Sequence, residues 1–353
     1  MIRKSINKIK AIKKRIINEI LPLYCYKSNF MASLYYFMFS EAFRRENKAV
    51  LAGKVKHINE SKVDKANYFL LVRNIHRIEK GLLMRPKRSI FAKDYIVETV
   101  DSYIGIISKE ITVNPQIDWF TDVLDTYFKE IGKDSLIDEQ KERYFNFRSA
   151  YNVGVLDNSC ETLKIPYRRK RELMPEISYE DFFLLNKYRR SVRWFLEKPV
   201  PRELIDKAIL VANQAPSACN RQPYEYYIID DPELVKNAVK LPMGTTGYSH
   251  SIQTFIVVVG NLDAYFDERD RHIIYIDASL ANMSLMLALE TLGLGSVPIN
   301  WPDIEIRERK MEKFLKLNSY QRPIMCLGVG FPDPEGMVAF SEKRDLNQIR
   351  RYI

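Results

Sequence analysis

Cysteine and histidine are both scarce: the 353-residue chain has four of each. Cys25, Cys160, Cys219 and Cys326 lie far apart, and no Cys-x-x-Cys pair occurs. That argues against structural zinc, an iron–sulfur cluster and a disulfide framework, and it fits a reducing cytosol. No Gly-x-x-x-x-Gly-Lys loop is present for nucleotide phosphates. Gly293 and Gly295 follow a helical stretch and precede a strand-like one, the reverse of the order a dinucleotide fingerprint needs. A Gly-x-Ser-x-Gly elbow and a His-Glu-x-x-His pair are absent too. The basic N-terminus is not followed directly by the apolar region of a secretory signal. The most apolar early stretch, Phe30 to Phe39, is well short of the roughly 20 residues that span a bilayer. It reads as a core helix or as a helix lying on a membrane surface.

What is present is ordinary for a soluble globular protein: 46% hydrophobic and 28% charged residues. The length suggests two domains. The net charge of +10 is concentrated in clusters. Arg3, Lys4, Lys8, Lys10, Lys13, Lys14 and Arg15 come without an acid among them, Arg85, Lys87 and Arg88 form a second group, and Arg168 to Arg171 a third. No nucleic-acid-binding motif accompanies them, which leaves a solvated basic surface or an anionic membrane or ligand.

Residues 1–165 read as mostly helical. Ser61 is a candidate cap for a helix carrying Leu71, Ile75, Ile78 and Leu82 at helical spacing, ending near Gly81 and Pro86. His76 and Glu79 on it read as structural. Residues 166–177 read as a linker holding the third basic cluster between Pro166 and Pro175. From residue 178 to 353 the character changes. Ser178 starts a helix, and Pro201 opens another at its first position. Strands are expected at Tyr224 to Ile229, Ile252 to Val259, Ser296 to Ile299 and Ile324 to Val329. Ile276 to Leu292 reads as a central helix buried on most faces, stopped by Gly293. Asp303 is a candidate cap for a helix running to Asn318. This order gives an α+β or α/β layered fold around one sheet.

Four segments carry candidate chemistry. In Tyr188 to Phe195, YRRSVRWF, three arginines and a serine form a set of donors suited to a phosphate dianion. In Ala215 to Ile229, a loop after Pro216 presents Ser217, Asn220 and Gln222, whose amides can both donate and accept. In Ala288 to Asn300, glycines permit close approach to a flat ligand. In Ser341 to Leu346, Lys343 and Arg344 add positive charge.

Together, Arg-Arg-Ser-Val-Arg, Pro-Ser-x-x-Asn-x-Gln-Pro, Gly-Leu-Gly-Ser and the late Lys-Arg pair resemble the nitroreductase family of FMN proteins, over residues 178–353. The resemblance implies an α+β three-layer sandwich with a central sheet, here preceded by the mostly helical region. It implies homodimers with FMN in clefts at the interface, acting on small molecules in the cytoplasm. Arg189 and Ser191 would contact the phosphate with Arg190 adjacent, and Arg193 would lie near the pyrimidine side of the ring. Asn220 would bond the ring edge, with Pro216, Ser217 and Gln222 shaping the loop. Pro298 and Ile299 would cover one ring face, a backbone amide near Asn300 would face N5, and Lys343 and Arg344 would complete the phosphate site. Tyr248, His250 and Trp301 are substrate-side candidates, and Asn300 and Trp301 stand where many members carry an acidic residue and a glycine. The implied reaction is a ping-pong cycle in which NAD(P)H gives hydride to flavin N5 and an acceptor removes it, with no essential side-chain acid or base and no metal. A flavin-dependent dehydrogenase or oxidase is the alternative. So is a non-enzymatic protein docking on a membrane or glycan-synthesis complex, since the N-terminal region resembles extended members that accompany surface-polysaccharide genes. Peripheral membrane contact through the basic N-terminus remains an open expectation.

Overall fold

The structure, a computed structural model, describes residues 2–109, 115–151 and 163–353; Cys160 lies outside them. Helix α1 (Ile2–Arg15) runs through a π turn into α2 (Leu21–Cys25), and α3 (Asn29–Phe39) folds back beside them. Phe30 to Phe39 is not a core helix: α3 has no buried residue. Helix α4 (Arg44–Ile58) follows, then α5 (Tyr68–Leu83), α6 (Ile96–Ile107), α7 (Pro115–Glu130) and α8 (Ser135–Tyr151). Helices α5 to α8 enclose a core of their own, with Leu71, Ile75, Ile78, Phe120, Leu124 and Tyr144 fully buried. The cap of α5 is Asn67 rather than Ser61. Asn67 Oδ1 accepts the Leu70 N–H at 2.7 Å, while Ser61 Oγ donates to the His57 carbonyl.

Residues 163–178 are exposed apart from a few half-buried positions, with one short turn at Arg171–Leu173. Ser178 then caps α9 (Tyr179–Tyr188), its Oγ accepting the Asp181 N–H at 3.0 Å. The remaining elements are α10 (Arg202–Ala212), β1 (Tyr224–Ile229), α11 (Pro232–Ala238), β2 (Thr254–Asn261), α12 (Ile273–Thr291), β3 (Gly295–Asn300), α13 (Glu305–Leu315), β4 (Gln321–Gly330) and a short α14 (Leu346–Ile349). Pro201 is the residue before α10, not its first. Ile304, not Asp303, precedes α13; Asp303 instead accepts from Arg322 at 2.8 Å.

Among the described residues the sheet has four antiparallel strands in the order β1-β2-β4-β3, with a bulge between Val258 and Val259. Strand alternation sends side chains to two cores. Ile256, Val258, Leu327 and Val329 pack against α10 and α12, whereas Phe255, Val257, Val297 and Cys326 pack toward α11 and α13. The result is a three-layer α+β sandwich, as expected. Helix α4 docks on it. Ala49 belongs to the α10–α12 core, Arg45 bonds Glu305 and Glu312, and Lys56 pairs with buried Asp263 at 2.6 Å. Gly53 is required there, because a Cβ would stand 2.6 Å from the Leu262 backbone.

Helix α12 is buried along Ile274, Ala278, Ala281, Leu285 and Leu289, but Ile276, Leu280 and Met283 form an exposed apolar stripe at helical spacing. The helix is thus buried on most faces, as expected, and among the described residues no element covers this one.

Candidate functional site

Helix α12 organises the site. Its only two charged residues, Asp277 and Glu290, lie thirteen residues apart, about 20 Å along the axis. Each marks one group of candidate residues.

At the C-terminal end, the chain leaves α9 at Arg189 and runs extended past β3. Ser191 pairs in parallel with Ser296, and the Val192 N–H donates to the Ser296 carbonyl at 3.0 Å. Gly295 makes this approach possible, since a Cβ there would sit 2.9 Å from Val192. Arg189 Nε is buried without a hydrogen-bond partner, as are Ser296 Oγ and Glu290 Oε1. Burial raises the Glu290 carboxyl above its ordinary value, and the nearby charge of Arg189 opposes the shift. Arg190 turns back onto the carbonyls of Lys187 and Arg189. Arg193 is exposed, with its guanidinium over the Tyr248 ring at 5.8 Å. Its carbonyl accepts from Ser251 Oγ. Tyr248 is buried, which pushes its phenol up, and exposed His250 lies edge-on to Trp194. On β3, Pro298 is half-buried, while Ile299 enters the core on the α13 side and Asn300 is exposed. Of the pair expected to cover a ring, Pro298 is thus the one with available surface. Trp301 is buried and donates its indole N–H to Glu308 at 2.6 Å, so it fills the core instead of standing over an open pocket.

At the N-terminal end of α12 sits the loop holding Pro216, Ser217, Asn220 and Gln222. Cys219, Asn220 and Gln222 all have positive φ, at 55°, 56° and 49°. Such residues each cost on the order of 1–3 kcal/mol and persist only where neighbours over-determine them. Here the Asp277 carboxylate accepts the Ala218 N–H at 2.9 Å, and Ser217 Oγ accepts the Gln222 N–H at 3.1 Å. Gln222 Nε2 donates to Asn220 Oδ1 at 3.1 Å. Burial raises the Asp277 carboxyl above the usual carboxylate range, against the pull of the Ala218 N–H and the Tyr265 hydroxyl. Arg221 is buried with its guanidinium 4.8 Å from the Tyr265 ring, and burial lowers its pKa.

The helical region reaches this second group. Pro216, Ser217 and Asn220 share a cleft of about 600 Å³ with His76 and Glu79 of α5, Trp119 of α7, and Lys164. Glu79 accepts the Trp119 indole N–H at 3.0 Å and lies 3.6 Å from His76 Nδ1. Lys164 pairs with Asp118 at 2.8 Å.

The structure thus brings Arg189, Ser191, Arg193, Tyr248 and Pro298 together at one end, and Pro216, Ser217, Asn220 and Gln222 at the other. Lys343 and Arg344 lie in the exposed C-terminal tail, where Arg344 donates to the Gln348 carbonyl. Sequence reasoning missed Asp277, Glu290 and Arg221. The signal for the first two was legible: they are the lone charges on an apolar helix. Among the described residues, no group of three or more His, Cys, Asp or Glu could hold a metal ion.

The sequence of this part of the chain is similar to that of known proteins. The nitroreductase family profile matches residues 187–246 and 250–331. The iodotyrosine deiodinase of Thermotoga neapolitana is 33% identical over 172 residues, covering 42% of this chain and 87% of that protein. The chain belongs to the nitroreductase family. Iodotyrosine deiodinase 1 of Homo sapiens is 26% identical over 207 residues, 50% of this chain and 69% of the relative. A nitroreductase family protein of Streptococcus pneumoniae superposes with a TM-score of 0.43 at 23% identity, covering 49% of this chain and all of that one. This nitroreductase-family chain is an oxidoreductase, and the reading of a non-enzymatic docking protein is set aside.

Proposed function

We propose that the chain binds FMN as a homodimer and passes electrons from NADH or NADPH to a small-molecule acceptor. One observation carries this reading. The half-buried Arg189 has its Nε atom buried without a partner among the described residues, beside a serine on a strand that glycine lets approach β3. A dianionic phosphate accepting from Arg189 and Ser191 would satisfy such donors, so the residues present fit the cofactor's phosphate end. Pro298 offers half-buried surface to one face of a flat ring. Bound FMN would supply the hydride chemistry. Arg193 would stabilise negative charge at the pyrimidine edge, and Lys343 and Arg344 would close on the phosphate from the tail.

Dimerisation is part of the proposal. The loop of Asn220 and the strand of Arg189 lie at opposite ends of α12, so one chain cannot wrap both around one small ligand. The exposed Ile276, Leu280 and Met283 stripe between them supports a two-fold contact in which each copy lends its loop to the other's arginine strand. Helices α5 and α7 then line the loop side.

The test is the visible spectrum of purified protein, recorded before and after anaerobic addition of NADH or NADPH. Oxidised-flavin bands that bleach with one nucleotide support the reading and identify the donor. Protein that stays colourless after FMN is supplied refutes it. The deiodinase relatives motivate a second reading, reductive removal of iodide from an iodinated tyrosine. Two electrons and a proton would replace the C–I bond with C–H and release iodide. Iodide release from diiodotyrosine by chemically reduced protein decides between the two.

A further inference from the structure

The N-terminal helices present an apolar surface that nothing among the described residues covers. Ile6, Ile9, Ile12, Ile16, Ile20 and Leu23 recur at spacings of three and four, through α1, the π turn and α2, and all are exposed. The stripe runs for about 25 Å at the helical rise. Beside it α3 exposes Phe30, Leu34, Phe37 and Met38, with Phe37 at 75% and Phe30 at 72%. The two elements are tied together: Tyr35 Oη donates to the Ile17 carbonyl at 2.9 Å. They therefore form one two-helix surface. Isolated exposed apolar residues need no explanation, but a contiguous stripe on adjacent helices marks an interaction site.

The charge on the same helices indicates the partner. Lys8, Lys10, Lys13, Lys14 and Arg15 are all exposed, and the first acid is Glu19, which pairs with Arg15 at 3.5 Å. A second copy would bring the same cations against these, with no acidic complement. An anionic lipid surface supplies both needs, apolar depth for the isoleucines and phenylalanines and negative headgroups for the lysines. Neither apolar segment is long enough to cross a bilayer.

We propose that α1 to α3 dock the protein on the surface of an anionic bilayer, lying in the interfacial plane with the Ile6-to-Leu23 stripe and the Phe30 and Phe37 rings inserted. Long lysine side chains extend along the apolar face to reach the headgroups. The docking does not depend on the cofactor.

The experiment is flotation of the full chain with two kinds of vesicle, phosphatidylcholine alone and phosphatidylcholine with one third phosphatidylglycerol. The protein is expected to float with the anionic vesicles, to stay behind with the zwitterionic ones, and to release as salt rises. Lys10→Gln with Lys14→Gln should weaken partitioning by roughly ten- to thirtyfold, and Ile9→Glu with Ile12→Glu should abolish it. Both doubles alter exposed side chains, so their melting temperatures should match the parent's, and the lysine pair keeps the test open if the isoleucine pair does not fold. Failure of the parent to float with anionic vesicles overturns the proposal. It is overturned equally if the isoleucine variant turns a solution dimer into a monomer, since the stripe would then belong to a second copy.

Discussion

The Ala218 backbone N–H donates to the Asp277 carboxylate at 2.9 Å, joining the strained loop to the first turns of α12. The bond is partly buried, and the loop it holds has three non-glycine residues at positive φ. Asp277→Ala should lower thermal stability, by roughly 1 kcal/mol for the lost hydrogen bond of a partly buried donor, and release the loop, reducing flavin content with it. Asp277→Asn keeps an oxygen for Ala218 and tests the charge alone. The Asp277 carboxyl is raised in the fold, chiefly by burial. Its contribution to stability is therefore fully present below the unfolded carboxylate pKa and is lost as pH rises through the folded value. The Asn variant should match or exceed the parent's melting temperature near neutral pH, with the difference shrinking toward about pH 4. Melting curves at both pH values check it; an Asn variant much weaker than the parent near neutrality would show that the charge is needed.

Arg189 is the second lever. Its buried Nε has no partner among the described residues, and a charged hydrogen bond contributes roughly 1.5–3 kcal/mol. Arg189→Ala should weaken FMN about ten- to a hundredfold. Fluorescence titration of apoprotein with FMN measures this directly, and unchanged affinity would remove Arg189 from the phosphate site.

Much of the sheet unit was legible because strand signals are local. Tyr224 to Ile229 is rich in tyrosine and isoleucine, and β1 has those bounds. Competing local signals were not separable. Ser61 and Asn67 are equally plausible caps by type, and what selects Asn67 is tertiary, since its amide also reaches the His57 carbonyl and Glu60. The residues from Phe30 to Phe39 have the composition of a core helix, and only the exposure of α3 in the fold sets it apart. The four motifs mark segments but say nothing of their arrangement. That Arg189 and Asn220 lie at opposite ends of α12 depends on how a 19-residue helix crosses the sheet, which no spacing reveals. His76 read as structural because its partners across the cleft, Ser217 and Asn220, are about 140 residues away in sequence, a separation that local pattern reading does not bridge.

If two copies complete each site, the α12 stripe must hold them. Leu280→Asp with Met283→Asp places two charges on that face, and burying an unpaired charge costs several kcal/mol. The variant should run as a monomer and lose FMN in the same step, while remaining folded, because both side chains are exposed in the single chain. Sedimentation with simultaneous absorbance at 280 and about 450 nm follows mass and flavin together. A monomer that retains FMN would show that one chain suffices.

The cleft gives His76 a role that the sequence reading withheld. Glu79, fixed by the Trp119 indole, stands 3.6 Å from His76 Nδ1 and can orient the ring, and the other side of the cleft is the loop of Ser217 and Asn220. A histidine there can give a proton to an acceptor as it is reduced. A quinone reduced by two electrons takes up protons, whereas ferricyanide takes one electron and none. His76→Gln should therefore slow anaerobic reoxidation by a quinone, by about a hundredfold if the ring is the main proton donor, and leave reoxidation by ferricyanide unchanged. Stopped-flow bleaching and recovery at 450 nm resolves the two. Equal slowing with both acceptors would mean that the substitution disturbs the site generally. No slowing with either would return His76 to a structural role on α5.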